Sequence, residues 1–410
     1  MLQQAQKVFG LPELKAVFQK WLAIEQDGEV LDIILAAAID RKVSGDPLWL
    51  FVVGPSGATK SEILRSLQNS PSIFHLSSLT GKTIVSGKER RDGTIVKGLY
   101  SKMNGKIVVI PELSQVLTKS REERDQIFSQ LRDLYDGHLS SGYGTTDQLI
   151  VVDCLIGLIC GVTPAIDMYG SVHAVLGERF LKVRPQFNRD VARERALTNQ
   201  QELDAMREEL SRTANGFLEN LPIKEPTLTK EVLERIGLYA EFVAQVRTTV
   251  TSQAFREYDT SEWSPEPEFA TRLAQQLLKL ARSLAIVRGH LEVNDEDLAT
   301  VSRIALDTCI PNRLKVVKAL AQASEALSIA AVATASGLTW VKAKNSIECL
   351  NTIGIVKEGN GEKQHNERWY SLKDEFRALI TRLGSIPVRG KDQNDEQHIK
   401  ADSFEAIMQI

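Results

Sequence analysis

The sequence has few cysteines and no long hydrophobic segment, and each of these absences excludes a class of protein. Its 410 residues include four cysteines, none of them in a CxxC pair, so the usual spacing of a zinc site is missing. No apolar run approaches the roughly 20 residues that a membrane-spanning helix needs. The N-terminus lacks the basic region and long apolar stretch of a secretory signal. We therefore expect a cytoplasmic protein with no membrane association.

A strong positive charge is also missing. Lysine and arginine number 50 and aspartate and glutamate 53, which gives a net charge of -3. The molecule as a whole therefore does not attract nucleic acid, and any such binding has to come from local basic patches. The composition, 43% hydrophobic and 25% charged, is that of a folded protein. A chain of this length predicts two or three domains.

A glycine-containing loop between a predicted strand and a predicted helix is the most specific motif. Residues 48–53, LWLFVV, form the short apolar run of a buried parallel strand, and a helical pattern, EILRSL, follows the loop. In this context backbone N–H groups and a helix N-terminus converge on an anion. The predicted ATP-binding loop consists of Gly54, Pro55, Ser56, Gly57, Ala58, Thr59, Lys60 and Ser61.

Two side chains of this loop carry the predicted chemistry. Lys60 is expected to contact the β- and γ-phosphates, and the Ser61 hydroxyl is expected to bind Mg²⁺. Thr59 stands where the usual pattern has glycine. The alternative is a structural turn that matches the motif by chance, and the strand before it and the helix after it argue against that.

A second apolar run ends in an acid, where ATPases of this kind normally carry two. In KIVVIPEL, residues 106–113, Pro111 precedes Glu112, and proline can neither bind a metal nor accept a proton. Glu112 is therefore the candidate both for Mg²⁺ and for activating water. Hydrolysis is expected to be slow, or the metal to rest mainly on Ser61 and the phosphates. The alternative is an ordinary exposed glutamate at the end of a strand.

A third apolar run and an arginine complete the predicted catalytic residues. Residues 154–163, CLIGLICGVT, end in Thr163, whose hydroxyl can orient the attacking water, although a threonine can also simply end a strand. In LGERFLKVRP, Arg179 precedes Phe180, which we expect to be buried. Arg179 is the candidate to reach the γ-phosphate in a neighbouring subunit. The alternative is an ion pair with Glu178 or a charge at a strand edge.

The order of these parts resembles that of the AAA+ ATPases, and specifically that of the minichromosome maintenance helicases. The resemblance implies Arg272 at the second sensor position, a ring or helical homo-oligomer with a hexamer as the expected size, and helicase, translocase or remodelling activity on DNA. Pro111 departs from the family, and the family's large N-terminal DNA-binding domain is not expected here. The segments that carry the resemblance are residues 58–61, 77–87, 98–110, 176–180 and 269–298.

Two segments are predicted to form hairpins that touch nucleic acid. One of them, DGHLSSGYGTTD at residues 136–147, offers His138 and Tyr143. Basic side chains contact phosphates, and a tyrosine can stack on a base. The alternative for both segments is a solvated turn. The other segment, TIVSGKERRDGTIVKG at residues 83–98, has an alternating pattern of residues around an Asp-Gly turn. It carries Lys88, Arg90 and Arg91 near its tip.

The C-terminal part predicts a winged helix-turn-helix. Gly337 lies at the turn, and the helix after it is expected to direct Val341, Ile347 and Leu350 inward. Such a helix can bind the major groove of DNA, while the alternative is a winged helix that docks a protein partner. The side chains expected on its exposed face are Thr339, Lys342, Lys344 and Asn345, and the two lysines are the candidates for nucleic-acid contact.

The predicted fold class is therefore α/β, an AAA+ P-loop parallel sheet flanked by helices, followed by a helical lid and a winged helix. The leading hypothesis is a multimeric, Mg²⁺-dependent ATPase that engages nucleic acid. The alternative is an ATP-controlled assembly switch with slow hydrolysis, whose winged helix binds a protein partner or regulates transcription. The predicted divisions are an N-terminal helical segment (1–30), the ATPase core (31–190), a linker helix and lid (191–310), the winged helix (311–384) and a mobile tail (385–410).

Overall fold

The computed structural model describes residues 9–80, 88–89, 95–96, 99–142, 149–168, 179–250, 265–360 and 368–385. Its strands are β1 (Trp49–Val53), β2 (Ile73–His75), β3 (Lys88–Glu89), β4 (Ile95–Val96), β5 (Ile107–Ile110), β6 (His138–Gly142), β7 (Leu149–Asp153), β8 (Gly157–Val162), β9 (Leu181–Val183), β10 (Leu327–Ser328), β11 (Val356–Asn360) and β12 (Arg368–Leu372). Its helices are α1 (Leu11–Trp21), α2 (Glu29–Ala38), α3 (Ala58–Ser66), α4 (Tyr100–Met103), α5 (Ser114–Leu117), α6 (Arg121–Tyr135), α7 (Arg189–Thr198), α8 (Leu203–Asn220), α9 (Lys230–Arg247), α10 (Thr271–Arg288), α11 (Asp295–Thr308), α12 (Pro311–Gln322), α13 (Ile329–Ser336), α14 (Trp340–Thr352) and α15 (Asp374–Ser385).

A five-stranded sheet in the order β2-β5-β8-β1-β9 forms the centre of the first part of the chain. All of its pairings are parallel. Every residue of β1, β5 and β8 is buried, as expected for continuous apolar strands that helices cover. The predicted α/β class with a parallel sheet flanked by helices is confirmed at this level. Because β8 lies between β1 and β5, the three strand ends that carry the predicted site residues are neighbours.

Aromatic side chains fix the last strand against the first. Phe180, which precedes β9, stacks on Phe51 of β1 with 3.7 Å between the ring centroids. It also packs against Trp49 at 5.2 Å. Phe180 is buried, which confirms the expectation from the sequence. The residue next to it, Arg179, is thereby held at a defined position beside the sheet.

The chain divides into two compact units, residues 1–226 with 279–292, and residues 227–278 with 293–410. The boundaries predicted at 30, 190, 310 and 384 describe a finer division and stay predictions. The long helix α8 belongs to the first unit because Met206, Leu210 and Phe217 are buried and because it packs against α1 and α3. Its amphipathic pattern resembled an exposed linker, since the apolar stripe does not reveal which neighbour covers it.

The second unit contains the predicted C-terminal helices and hairpin. Strands β10, β12 and β11 form an antiparallel sheet in that order, and α13 and α14 meet at Gly337, whose φ of +63° suits glycine. The prediction for Val341 is wrong, because this side chain is 59% exposed while Ile347 and Leu350 are fully buried. Val341 lies nine residues before Leu350, about half a turn out of phase on an α-helix.

Both predicted hairpins have antiparallel backbone pairing. Strands β3 and β4 pair with each other, and so do β6 and β7. Arg90, Arg91 and Tyr143 lie outside the described residues, and the structure describes only the backbone of Lys88 and His138. The tail from residue 386 onward also lies outside the described part. Within that part, every helix is too short or too polar to cross a lipid bilayer.

Candidate nucleotide-binding site

The glycine-containing loop connects β1 to α3 at the carboxyl edge of the sheet. Pro55, Ser56 and Gly57 are exposed, and the Gly54 N–H donates to the Val162 carbonyl at 3.0 Å. A Cβ atom on Gly54 or Gly57 would meet no protein atom within 4 Å, and neither residue adopts a left-handed φ. Protein packing therefore does not require glycine at either position. The open backbone suits close approach by a ligand.

Lys60 turns inward at the base of this loop. Its Nζ atom donates to the Gly54 carbonyl at 3.2 Å and to the Val162 carbonyl at 2.9 Å, and the side chain is 3% exposed. Burial lowers the pKa of the Lys60 amine, and the negative charge of Glu112 partly opposes that effect. The amine thus lies between the loop and the end of β8, within electrostatic reach of Glu112.

Glu112 and Thr163 are connected through a residue that the sequence did not single out. Ser114 donates its backbone N–H to Glu112 Oε1 at 3.1 Å. Its hydroxyl oxygen accepts the Thr163 N–H at 2.8 Å, and its hydroxyl donates to Thr163 Oγ1 at 3.2 Å. The only sequence signal for Ser114 is its position two residues after the acid. The arrangement brings polar groups from two adjacent strand ends into one hydrogen-bonded group.

A close backbone contact sets the course of the chain after β5. Any Cβ atom at Gly161 would lie 2.1 Å from the Pro111 carbonyl oxygen, so only glycine fits there without a backbone shift. Leu113 donates its N–H to the Gly161 carbonyl at 2.8 Å. The segment from Pro111 to Ser114 therefore crosses over β8, which brings Glu112 and Ser114 to Thr163. Pro111 offers a carbonyl to this contact and no acidic side chain.

The residues near the loop fit a magnesium ion that is held largely by phosphates. Ser61, next to Lys60, is partly exposed, and Glu112 is the nearby carboxylate. In the described part of the chain, no group of three or more His, Cys, Asp or Glu side chains could hold a metal by itself. Mg²⁺ commonly retains waters and binds through one or two protein oxygens together with phosphates, so this small donor set is sufficient.

Arg179 forms an ion pair within its own subunit. Its Nη2 atom donates to both carboxylate oxygens of Asp136, at 3.0 and 2.7 Å. The guanidinium also lies 5.4 Å from the centroid of the Tyr135 ring. The Arg179 side chain is 7% exposed and that of Asp136 is 50% exposed. An ion pair was the predicted alternative for Arg179, but with Glu178, which lies outside the described residues.

The remaining predicted residues belong to the second unit. Arg272 lies near the start of α10 and is partly buried. Lys342 is exposed, whereas Lys344 lies 5.5 Å from the centroid of the Trp340 ring and 3.7 Å from Glu348. Trp340 is 51% exposed and was not predicted as a surface residue. The expected exposure of Thr339 and Asn345 is confirmed.

No protein-family model matches the sequence, and no curated protein is significantly similar to it. The function of the site therefore has to be inferred from its own geometry and chemistry.

Proposed function

We propose that this protein is a cytoplasmic P-loop ATPase of the AAA+ type that uses ATP and Mg²⁺. The observation that carries the proposal is the position of the Lys60 amine, which lies between the glycine-containing loop and the strand end that carries Thr163, with Glu112 in electrostatic reach. A buried amine beside open loop backbone at a helix N-terminus is what polyphosphate binding requires. The parallel sheet is compatible with this class of fold.

Each residue has a role in this proposal. The exposed N–H groups of the loop bind phosphate oxygens, and Lys60 exchanges its two carbonyl acceptors for the phosphates. ATP supplies the transferable phosphoryl group and Mg²⁺ neutralises its developing charge. Glu112 accepts the proton of the attacking water, and Thr163 orients that water. Because Pro111 supplies no second carboxylate, we expect turnover at the slow end for this class.

We further propose that subunits assemble side by side into a ring or helical homo-oligomer, with a hexamer as the expected size. Arg179 then reaches the nucleotide of a neighbouring subunit. Its ion pair with the half-exposed Asp136 has to be exchanged for phosphate contacts during assembly. Arg272 is proposed as a second sensor. The energetic cost of breaking the Asp136 pair makes Arg179 available only where a stronger anion replaces the carboxylate.

Nucleic acid is the proposed substrate of the assembled ATPase, in the manner of a helicase, translocase or remodeller related to the minichromosome maintenance family. Support comes from the antiparallel pairing of the two hairpins and from the exposed Lys342 at the start of α14. The second candidate is an ATP-controlled assembly switch whose C-terminal winged helix binds a protein. The missing acid at Pro111 and the internal pairing of Arg179 favour it.

ATP turnover measured with and without DNA, together with molar mass from light scattering in ATP and in ADP, tests these proposals. Mg²⁺-dependent turnover that rises with DNA supports the nucleic-acid-dependent ATPase. Slow turnover that is insensitive to DNA, with assembly only in ATP, supports the switch. An absence of both ATP binding and turnover would exclude the ATPase.

A further inference from the structure

We infer that Ser114 is a positioning residue that sets the hydrogen-bond direction of Thr163 and the orientation of Glu112. Three contacts carry this inference, namely the Ser114 N–H to Glu112 Oε1 at 3.1 Å, the Thr163 N–H to Ser114 Oγ at 2.8 Å, and the Ser114 hydroxyl to Thr163 Oγ1 at 3.2 Å. The inference rests on the proposed ATPase function, because it assigns the orientation of that site.

The geometry of the bond between the two hydroxyls makes Ser114 Oγ the donor and Thr163 Oγ1 the acceptor. Ser114 Oγ already accepts the Thr163 N–H, and its own proton is directed to Thr163 Oγ1. A hydroxyl has one proton to donate and can accept two bonds. Since Thr163 Oγ1 is an acceptor towards Ser114, its proton points elsewhere. Thr163 therefore retains a hydroxyl proton to donate, the polarity required to hold the oxygen of a water or a phosphate.

Glu112 is oriented by the same residue through the backbone. One carboxylate oxygen, Oε1, accepts the Ser114 N–H, and this N–H is fixed because Ser114 begins α5. The other oxygen, Oε2, is left as the proton acceptor for an attacking water. The preceding residue cannot share this task, since Pro111 has neither an N–H group nor a polar side chain.

A purely structural role for Ser114 makes a different prediction. If its hydroxyl only stabilises the crossing of the chain over β8, its removal lowers the melting temperature and leaves the turnover of the folded protein unchanged. If it directs the Thr163 proton, its removal lowers kcat and leaves ATP affinity unchanged. The hydrogen bond from the backbone N–H of residue 114 to Glu112 is retained in any variant except proline. A substitution of the side chain therefore removes only the contact with Thr163.

The test compares Ser114→Ala with Ser101→Ala, a matched loss of an exposed hydroxyl on α4. We expect Ser114→Ala to lower kcat roughly 10-fold with unchanged ATP affinity, the size of effect that the loss of one oriented hydrogen bond produces. Ser114→Thr should retain most of the turnover. Ser114→Val should not, because valine has the shape of threonine but lacks the hydroxyl. This pair keeps the test valid if Ser114→Ala fails to fold.

A double-mutant cycle with Thr163→Ala decides whether Ser114 acts through Thr163. We expect Ser114→Ala to cost nothing further in the Thr163→Ala background, because the hydroxyl that it orients is already gone. Additive losses, or equal kcat for Ser114→Thr and Ser114→Val, would overturn the inference about Ser114. If the wild-type protein still hydrolyses ATP, the proposed ATPase function would stand. A wild-type protein that neither binds nor hydrolyses ATP would overturn both.

Discussion

The carboxyl edge of the parallel sheet and the α14 surface of the second unit treat their polar side chains in opposite ways. At the sheet edge, Lys60, Ser114 and Thr163 come from different elements and converge through hydrogen bonds on backbone and side-chain oxygens. On α14, the described charges point to solvent, and Lys344 lies 3.7 Å from Glu348 of the same helix. These polar groups at the sheet edge are buried or partly buried, whereas the charged groups on α14 are exposed or partly exposed.

The contrast indicates where each kind of function can be recognised. Chemistry needs groups held at fixed positions in a partly desolvated place, and burial of the Lys60 amine is a sign of that. A surface that binds a charged polymer needs only accessible charges, which resemble any other solvated helix face. The geometry therefore favours a chemical site at the sheet edge more strongly than it favours a particular partner for α14.

The largest expected effect concerns Arg179, which forms an ion pair with Asp136 of its own subunit. If it acts in a neighbour's site, Arg179→Ala should lower turnover by roughly 10³-fold or more. Mixing it with Lys60→Ala should restore part of the activity, because shared interfaces then combine an intact loop with an intact arginine. Full activity of Arg179→Ala alone, or an inactive mixture that co-assembles by light scattering, would make Arg179 a structural partner of Asp136.

Glu112 tests whether the convergence at the sheet edge is catalytic. Glu112→Gln should bind ATP with nearly unchanged affinity and lower turnover by roughly 10²- to 10³-fold, because an amide cannot accept the proton of the attacking water. Single-turnover measurements would separate this loss from slow product release. Wild-type turnover in this variant would show that the base lies elsewhere.

The sequence was sufficient for features that depend on short, continuous segments. The strands β1, β5 and β8 and the helix after the loop were predictable, because a buried element requires a pattern of apolar residues that is visible in the sequence. The connection of Ser114 to Thr163 and of Arg179 to Asp136 was not predictable, because 49 residues separate the first pair and 43 the second. Val341 was assigned to the wrong face because apolar character alone does not fix the phase of a helix.

A histidine at the same sheet edge contrasts with the site residues, since it is partly buried and has no part in the proposed chemistry. Burial and the charge of Arg65 lower the pKa of His75 to about 4, so it is neutral in the folded protein. Below pH 6.5 the unfolded chain takes up the proton more readily, and stability falls as the pH drops from about 6.5 to 4. When the pH is lowered from 7 to 5, the free energy of unfolding measured with urea should fall by about 2 kcal/mol more for the wild type than for His75→Gln. Equal losses would show that His75 titrates normally.

The smallest effect is expected at the α14 surface. Replacing Lys342 and Lys344 by alanine should weaken duplex DNA binding roughly 10-fold at low salt and reduce the salt dependence by one to two phosphate contacts. Lys357→Ala, from the same module, is the control, because Lys357 pairs with Asp374. If the double variant binds DNA as tightly as the control does, the surface serves a protein partner.

The most direct test of the central claim is calorimetric titration of ATP and Mg²⁺ into Lys60→Ala, with Lys102→Ala as the control for loss of an exposed lysine. The amine of Lys60 is the buried cation at the loop, so its removal should weaken ATP binding roughly 100-fold, the scale of a charge-assisted contact of about 3 kcal/mol. Lys102→Ala should bind ATP like the wild type. Equal affinity in the two variants, both folded by circular dichroism, would contradict the assignment of the sheet edge as the ATP site.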